Sequence, residues 1–321
     1  MMFDVTLADI EAAAQRIKGR VRRTPLYVSP GLSHMLGVET SIKCESLQLH
    51  GSFKVRGCLN TLLQLSKAEL ARGVVTVSGG NHAIAVSATA TALGTSALVL
   101  MPKAASPYNI ELTKEAGGTV ELCDDAAEAF AKADVYARDG RLNVHAYDDP
   151  RIIAGHGTVG LEIADDGGAF DHVFVSIGGG GFSAGVSAAL KGHNAAQHIY
   201  GVETQGAETM TEALKTGVPV TIRPTSIART LGAPFATQRT IAAAQQFLDD
   251  VVLVPDCGTV RAMVDILSRE RLLVEPAAAC TLAAALEKKP AFKSGDRVCL
   301  ILCGSNVPLA DLLTWRKQFH V

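Results

Sequence analysis

Apolar residues recur along this chain at two alternating periods. Near the start, Leu7, Ile10, Ala13 and Ile17 share one helical face, and Thr6 stands where a helix cap belongs. Thr24-Pro25-Leu26 predicts an extended segment, because the proline ring disfavours helix before it. Ser29 predicts a second cap, Ser41 to Cys44 a strand, and Cys58 to Leu65 a helix. From Val74 the periods alternate quickly. Strands are expected over 74–77, 97–101, 119–122 and 144–146, with helices over 81–93, 107–116 and 126–138; Ser106 and Asp125 are the candidate caps for the last two. Pro150 opens a helix over 152–164. A second series follows, with strands over 172–177, 199–202, 251–254 and 297–302. Its helices are expected over 183–190, 207–214, 260–271, 277–286 and 308–315, and 216–237 reads as one long loop. Strands and helices in strict alternation imply an α/β fold with mostly parallel, twisted sheets and right-handed crossovers.

Composition narrows the function classes. Apolar residues make up 48% of the 321, mostly Ala, Val, Leu and Ile, which suits helices covering buried sheets. The net charge is −2 without basic blocks, so neither nucleic acid nor a membrane surface is an expected partner. The seven cysteines form no Cys-x-x-Cys pair, and reduced thiols in the cytoplasm are the simplest account. The opening Met1-Met2-Phe3-Asp4 carries no leader pattern, and the apolar runs fall short of a membrane span.

The candidate chemistry centres on Gly51-Ser52-Phe53-Lys54-Val55-Arg56-Gly57, between a strand and a helix. Ser52 is a candidate cap. Lys54 then sits at a helix N-terminus, where the dipole disfavours a cation. A lysine held there is plausible as a neutral amine that attacks an aldehyde. The plain alternative makes Lys54 and Arg56 solvated surface cations. The segment resembles the Ser-Phe-Lys-x-Arg-Gly signature of the serine/threonine dehydratases. These are fold type II, tryptophan-synthase-β-like enzymes that use pyridoxal 5'-phosphate. The resemblance implies that Lys54 holds the cofactor as a Schiff base and that Phe53 flanks it.

Gly178-Gly179-Gly180-Gly181 lies between a strand and a helix, where backbone N–H groups and the helix dipole favour a phosphate. Alone, the run also fits a dinucleotide site, since Gly185 and Glu203 fall near the spacing of a Rossmann fingerprint. That rival gives Lys54 no role, whereas the dehydratases have a matching loop for the cofactor phosphate. Val77-Ser78-Gly79-Gly80-Asn81-His82-Ala83 resembles their Ser-Ser-Gly-Asn-His loop, which implies that Ser78 to His82 bind the substrate carboxylate. It also implies that Asn81 hydrogen-bonds the cofactor's phenolic oxygen. Gly79 replaces the second serine, the hydroxyl that serves as acid/base on the far face in serine racemases.

Leu302-Cys303-Gly304-Ser305-Asn306 resembles the family's segment at the pyridine nitrogen, which places Cys303 there as a neutral thiol donor. Leu273-Val274-Glu275-Pro276 resembles its Val-Glu-Pro segment near the cofactor. The divalent cation, Mg2+ or Ca2+, bound by some relatives would fall on Glu203, the Ala207 carbonyl and residue 209. Thr209 stands where the third ligand would be an acid, which leaves the cation site incomplete. The loop segment Ala228-Arg229-Thr230 departs from the family's Ala-Asp-Gly, and Arg229 either binds a substrate acid or is solvated.

The resemblance runs from Thr24 to Asn306. It implies two three-layer αβα domains with the cofactor in the cleft between them. Residues 71–150 form the smaller domain, inserted in a larger one built from 1–70 and 151–321. The implied reaction is dehydration and deamination of a small-molecule 3-hydroxy amino acid such as L-threonine or L-serine, by a homodimer or higher homo-oligomer. The chain ends soon after Cys303, so a C-terminal regulatory domain is not expected. The alternatives are a serine racemase, a dehydratase for a bulkier 3-hydroxy amino acid, a nucleotide-dependent oxidoreductase, and an inactive ligand-binding protein.

Overall fold

The computed structural model describes residues 3–321, so the Met1-Met2 part of the N-terminal reading lies outside the described residues. Ten strands appear in chain order: β1 Leu26–Val28, β2 Glu39–Lys43, β3 Val74–Val77, β4 Ala97–Pro102, β5 Thr119–Cys123, β6 Leu142–Asn143, β7 His172–Ser176, β8 His198–Thr204, β9 Asp250–Val254 and β10 Arg297–Ile301. They form two sheets. The larger has the order β1-β2-β10-β7-β8-β9, and the smaller, drawn entirely from residues 74 to 143, the order β5-β4-β3-β6. Every pairing is parallel except β1 with β2 at one edge. β7 and β10 lie inside the larger sheet, and β7 is buried along its whole length, which is why it reads as a continuous apolar run rather than an alternating one. The α/β architecture is as the alternation implies.

Three helices set the distance between the lysine and the glycine run. Lys54–Leu62 and Gly181–His193 both pack on the long helix Pro150–Gly167. Glycines at the crossings permit this approach. A Cβ on Gly155 would lie 2.6 Å from the Gly57 Cα, and one on Gly157 would lie 2.9 Å from the Gly185 carbonyl oxygen. Side chains there would push the helices apart and displace both segments.

The structure departs from the sequence reading locally. Helices Lys67–Arg72 and Gln238–Phe247 are additional. The first carries a capping box from Ser66 to Glu69, a signal visible in the sequence. The last strand of the smaller sheet is Leu142–Asn143, two residues earlier than expected, although the Val144 N–H still donates to the Val75 carbonyl. Thr6, Ser29 and Asp125 cap as expected, whereas Ser106 makes no side-chain cap. Ser52 is not a cap either. The helix begins at Lys54 after Phe53, and the Ser52 hydroxyl is buried without a partner.

Candidate active site

The candidate site lies at the C-terminal ends of β3, β7 and β10, where open parallel sheets generally bind ligands. Strand β10 leads into Cys303-Gly304-Ser305-Asn306, which is laced to the lysine segment. The Phe53 N–H donates to the Cys303 carbonyl at 3.2 Å, and Ser305 N–H to the Gly51 carbonyl at 2.9 Å. Glu275 N–H donates to the Gly304 carbonyl at 3.1 Å. Segments separated by more than two hundred residues are therefore fixed by main-chain bonds.

Lys54 is only partly covered by surface area, but the protein packed around its amine desolvates it. That desolvation lowers its pKa to about 8, while Cys58, Cys303 and Glu275 pull the other way. The amine donates to the Ala146 carbonyl at 2.8 Å. Phe53 stacks on Phe182 with centroids 3.7 Å apart, and His156 meets its edge at 4.8 Å. Arg56 is fully buried. It pairs with Glu45 at 2.8 Å and Glu162 at 2.7 Å, and Lys43 joins Glu162 at 2.6 Å. Burial alone would raise the Glu45 carboxyl, yet Arg56 holds it below the usual range. The surface-cation reading of Lys54 and Arg56 is thereby corrected. Arg56 anchors the first turn of the helix that carries Lys54.

Gly178 to Gly181 run into the helix Gly181–His193, with Gly180 in the left-handed region at φ 91°. First-turn N–H groups of a helix have no intrahelical acceptor. The cradle has no room for side chains: a Cβ on Gly179 would meet the Tyr147 ring at 2.4 Å, and one on Gly180 the Met210 Cε at 2.7 Å. After β3, Ser78-Gly79-Gly80 turns into the helix Asn81–Ala92, and the Gly80 N–H donates to Ser78 Oγ at 3.2 Å.

Asn81 is buried between two partners. Its Nδ2 donates to both Glu275 oxygens at 2.8 and 3.0 Å, and its Oδ1 accepts from Asn306 at 2.7 Å. Burial raises Glu275 to about 7, against the hydrogen bonds from Asn81 and Thr230 that lower it. Cys303 Sγ lies 4.0 Å from Glu275, and burial pushes its thiol well up, so it is neutral. The His82 ring points away from this cluster, to the Val144 carbonyl at 3.0 Å and the Cys58 sulfur at 3.6 Å. Burial lowers its pKa to about 3, so it is a neutral packing group, and only its backbone is placed to meet a ligand.

The family model described as "Pyridoxal-phosphate dependent enzyme" matches residues 17–304. The chain belongs to the pyridoxal-phosphate dependent enzymes. It is 38% identical to the L-threonine ammonia-lyase of Geobacter sulfurreducens over 94% of this chain and 76% of that protein. It is 37% identical to the phenylserine dehydratase of Ralstonia pickettii over 95% of each. Among solved structures, maize serine racemase superposes with a TM-score of 0.92 at 30% identity, covering 98% of both chains.

The residues present fit pyridoxal 5'-phosphate. A glycine cradle at a helix start suits its phosphate, the desolvated Lys54 amine its aldehyde, and the neutral Cys303 thiol an unprotonated pyridine nitrogen. They do not fit the dinucleotide or the cation on Glu203. That carboxylate, raised to about 7 chiefly by burial, accepts from the Met210 and Thr211 N–H groups at 2.6 and 2.8 Å and from the Thr211 hydroxyl at 2.6 Å. It caps the helix Thr209–Thr216. Ala207 is buried beside it, and among the described residues no three His, Cys, Asp or Glu side chains form a metal-sized group. Sequence reasoning missed Ala146 and Tyr147 as parts of the site, and it gave no role to Phe182, Thr230 and Asn306, which lie in or beside segments it had singled out.

Proposed function

We propose that the protein removes water from a 3-hydroxy amino acid, such as L-threonine or L-serine, and releases a 2-oxo acid and ammonia. The observation that carries this is the desolvated Lys54 amine, held on the Ala146 carbonyl at 2.8 Å, with a glycine at position 79. When bound, pyridoxal phosphate supplies the electron sink that makes Cα–H acidic. The chain's residues supply the rest. The glycine cradle fixes the phosphate, and the N–H groups of Gly79 to His82 bind the α-carboxylate. Neutral Lys54 takes the Cα proton as general base. The neutral Cys303 thiol favours expulsion of the β-hydroxyl over storage of negative charge, because it does not hold a proton on the ring. Released enamine hydrolyses in water.

Racemisation needs a proton donor on the face opposite Lys54, and Gly79 has no side chain to give one. We therefore read the likeness to maize serine racemase as one of fold and cofactor. The same proposal includes a homodimer or larger assembly, and a cytoplasmic setting consistent with seven unpaired cysteines, six of them buried. Borohydride reduction should fix the cofactor on Lys54, and Lys54→Ala should abolish 2-oxo acid release while preserving the circular-dichroism spectrum. An adduct on another lysine, or racemisation of serine as fast as its deamination, would overturn the assignment.

A further inference from the structure

The site continues into a cavity that none of the roles above uses. It lies between the helix Pro107–Glu115, the segment Ile227–Thr230 and the last helix, Leu309–Phe319. Its volume is about 290 Å³. Glu275 and Thr230 are part of its lining, and there the Thr230 hydroxyl donates to Glu275 at 3.1 Å. Thr230 Cγ2 stands 3.2 Å from where a Cβ on Gly80 would be. The cavity therefore opens beside the turn that binds the α-carboxylate in our reading.

Its walls select by chemistry. Ile227, Pro276, Val307 and Pro308 make apolar surface, and Tyr108 and Trp315 add aromatic faces. The charged groups are the carboxylates of Glu275 and Asp311 against the single guanidinium of Arg229, a balance that disfavours a second carboxylate on the substrate. Asn109, in the same lining, donates from Nδ2 to the Gly79 carbonyl at 3.1 Å, and its buried Oδ1 has no partner. A threonine methyl group would leave most of this space to water. At about 290 Å³ the cavity reaches only the lower end of the usual range for ligand pockets, about 300–1,000 Å³, yet it still holds a group larger than one methyl.

We propose that the preferred substrate is a 3-hydroxy amino acid bearing an aryl-sized apolar group on Cβ, lodged against Tyr108 and Trp315. This rests on the elimination reading above. The test compares kcat/KM of the holoenzyme for L-threonine, 3-phenylserine and 3-hydroxyaspartate by release of oxo acid and ammonia. Phenylserine should exceed threonine by about tenfold or more, in line with discrimination by apolar pockets. Tyr108→Ala should cut the phenylserine-to-threonine ratio by about tenfold. Ile227→Trp, which fills the cavity without removing a wall, should cut it as well and covers the case in which Tyr108→Ala fails to fold. Equal use of threonine and phenylserine, or a preference for 3-hydroxyaspartate that Arg229→Ala removes, overturns the aryl pocket and leaves elimination standing. If Lys54 captures cofactor but no hydroxy amino acid yields oxo acid, the elimination reading falls and this inference with it.

Discussion

The depressed pKa of Lys54 has a consequence that can be measured without turnover. Only the neutral amine attacks the aldehyde of pyridoxal phosphate, so capture by the apoprotein should follow the neutral fraction of Lys54. An unperturbed lysine titrates at 10.5, whereas burial brings this one to about 8. Near pH 7.5 the neutral fraction is then about 0.2 rather than about 0.001, a gain of roughly 200-fold in reactive amine. The assay traps the adduct with borohydride at short times over a range of pH and measures labelling of the peptide containing Lys54 by mass spectrometry. The rate should rise through a midpoint at about pH 8 and level off by about pH 9, since deprotonation is then nearly complete. Glu275, raised to about 7, is mostly ionised at pH 8 and favours the lysine cation. Glu275→Gln should therefore move the midpoint to lower pH. A rate that keeps climbing tenfold per unit through about pH 10 would mean that Lys54 titrates as a solvated lysine, and the desolvation argument would be wrong.

Three further outcomes are expected. Gly179→Ala, which drives a methyl group into the Tyr147 ring at 2.4 Å, should weaken cofactor binding by at least tenfold in equilibrium dialysis, about 1.4 kcal/mol; unchanged binding would remove the glycine run from the phosphate site. Cys303→Ser should be nearly silent in elimination, because a hydroxyl replaces one neutral donor by another. Cys303→Asp should lower elimination by a larger factor through a protonated ring, measured after folding and cofactor content are checked, and full activity in both variants would reduce Cys303 to a packing thiol. Arg56→Ala leaves Glu45 buried and unpaired, so urea denaturation should show a loss of about 3–5 kcal/mol, and a loss below about 1 kcal/mol would show that the buried pair is not needed.

Much of this protein is legible in its sequence because the signals are local. The alternation of apolar periods gives the βα order, since a buried strand and an amphipathic helix each leave their own repeat. Capping residues give several helix starts. Gly51 to Gly57, Ser78 to His82, Gly178 to Gly181 and Cys303 to Asn306 are each contiguous, so each can be matched to a known segment. The boundaries of short edge elements are less legible. β6 is only two residues long, and its pairing with β3, not its own composition, decides where it begins.

Tertiary structure alone decided the electrical character of the site. The burial of Arg56 depends on chain folding, because one of its two carboxylate partners, Glu162, comes from a helix more than one hundred residues away. Glu203 looked like a ribose-binding or cation-binding acid by spacing. Instead, the chain folds the start of the helix Thr209–Thr216 onto both of its oxygens. His82 sits in a binding motif but turns its ring inward to Val144. Asn81, Glu275 and Asn306 form one hydrogen-bonded row only because two strand-to-helix connections and one helix-to-helix connection end at the same place. Sequence determines which groups exist and which backbone turns carry them. A pKa or a charge balance depends on what surrounds a group in space, and for this site most of the surroundings come from distant parts of the chain.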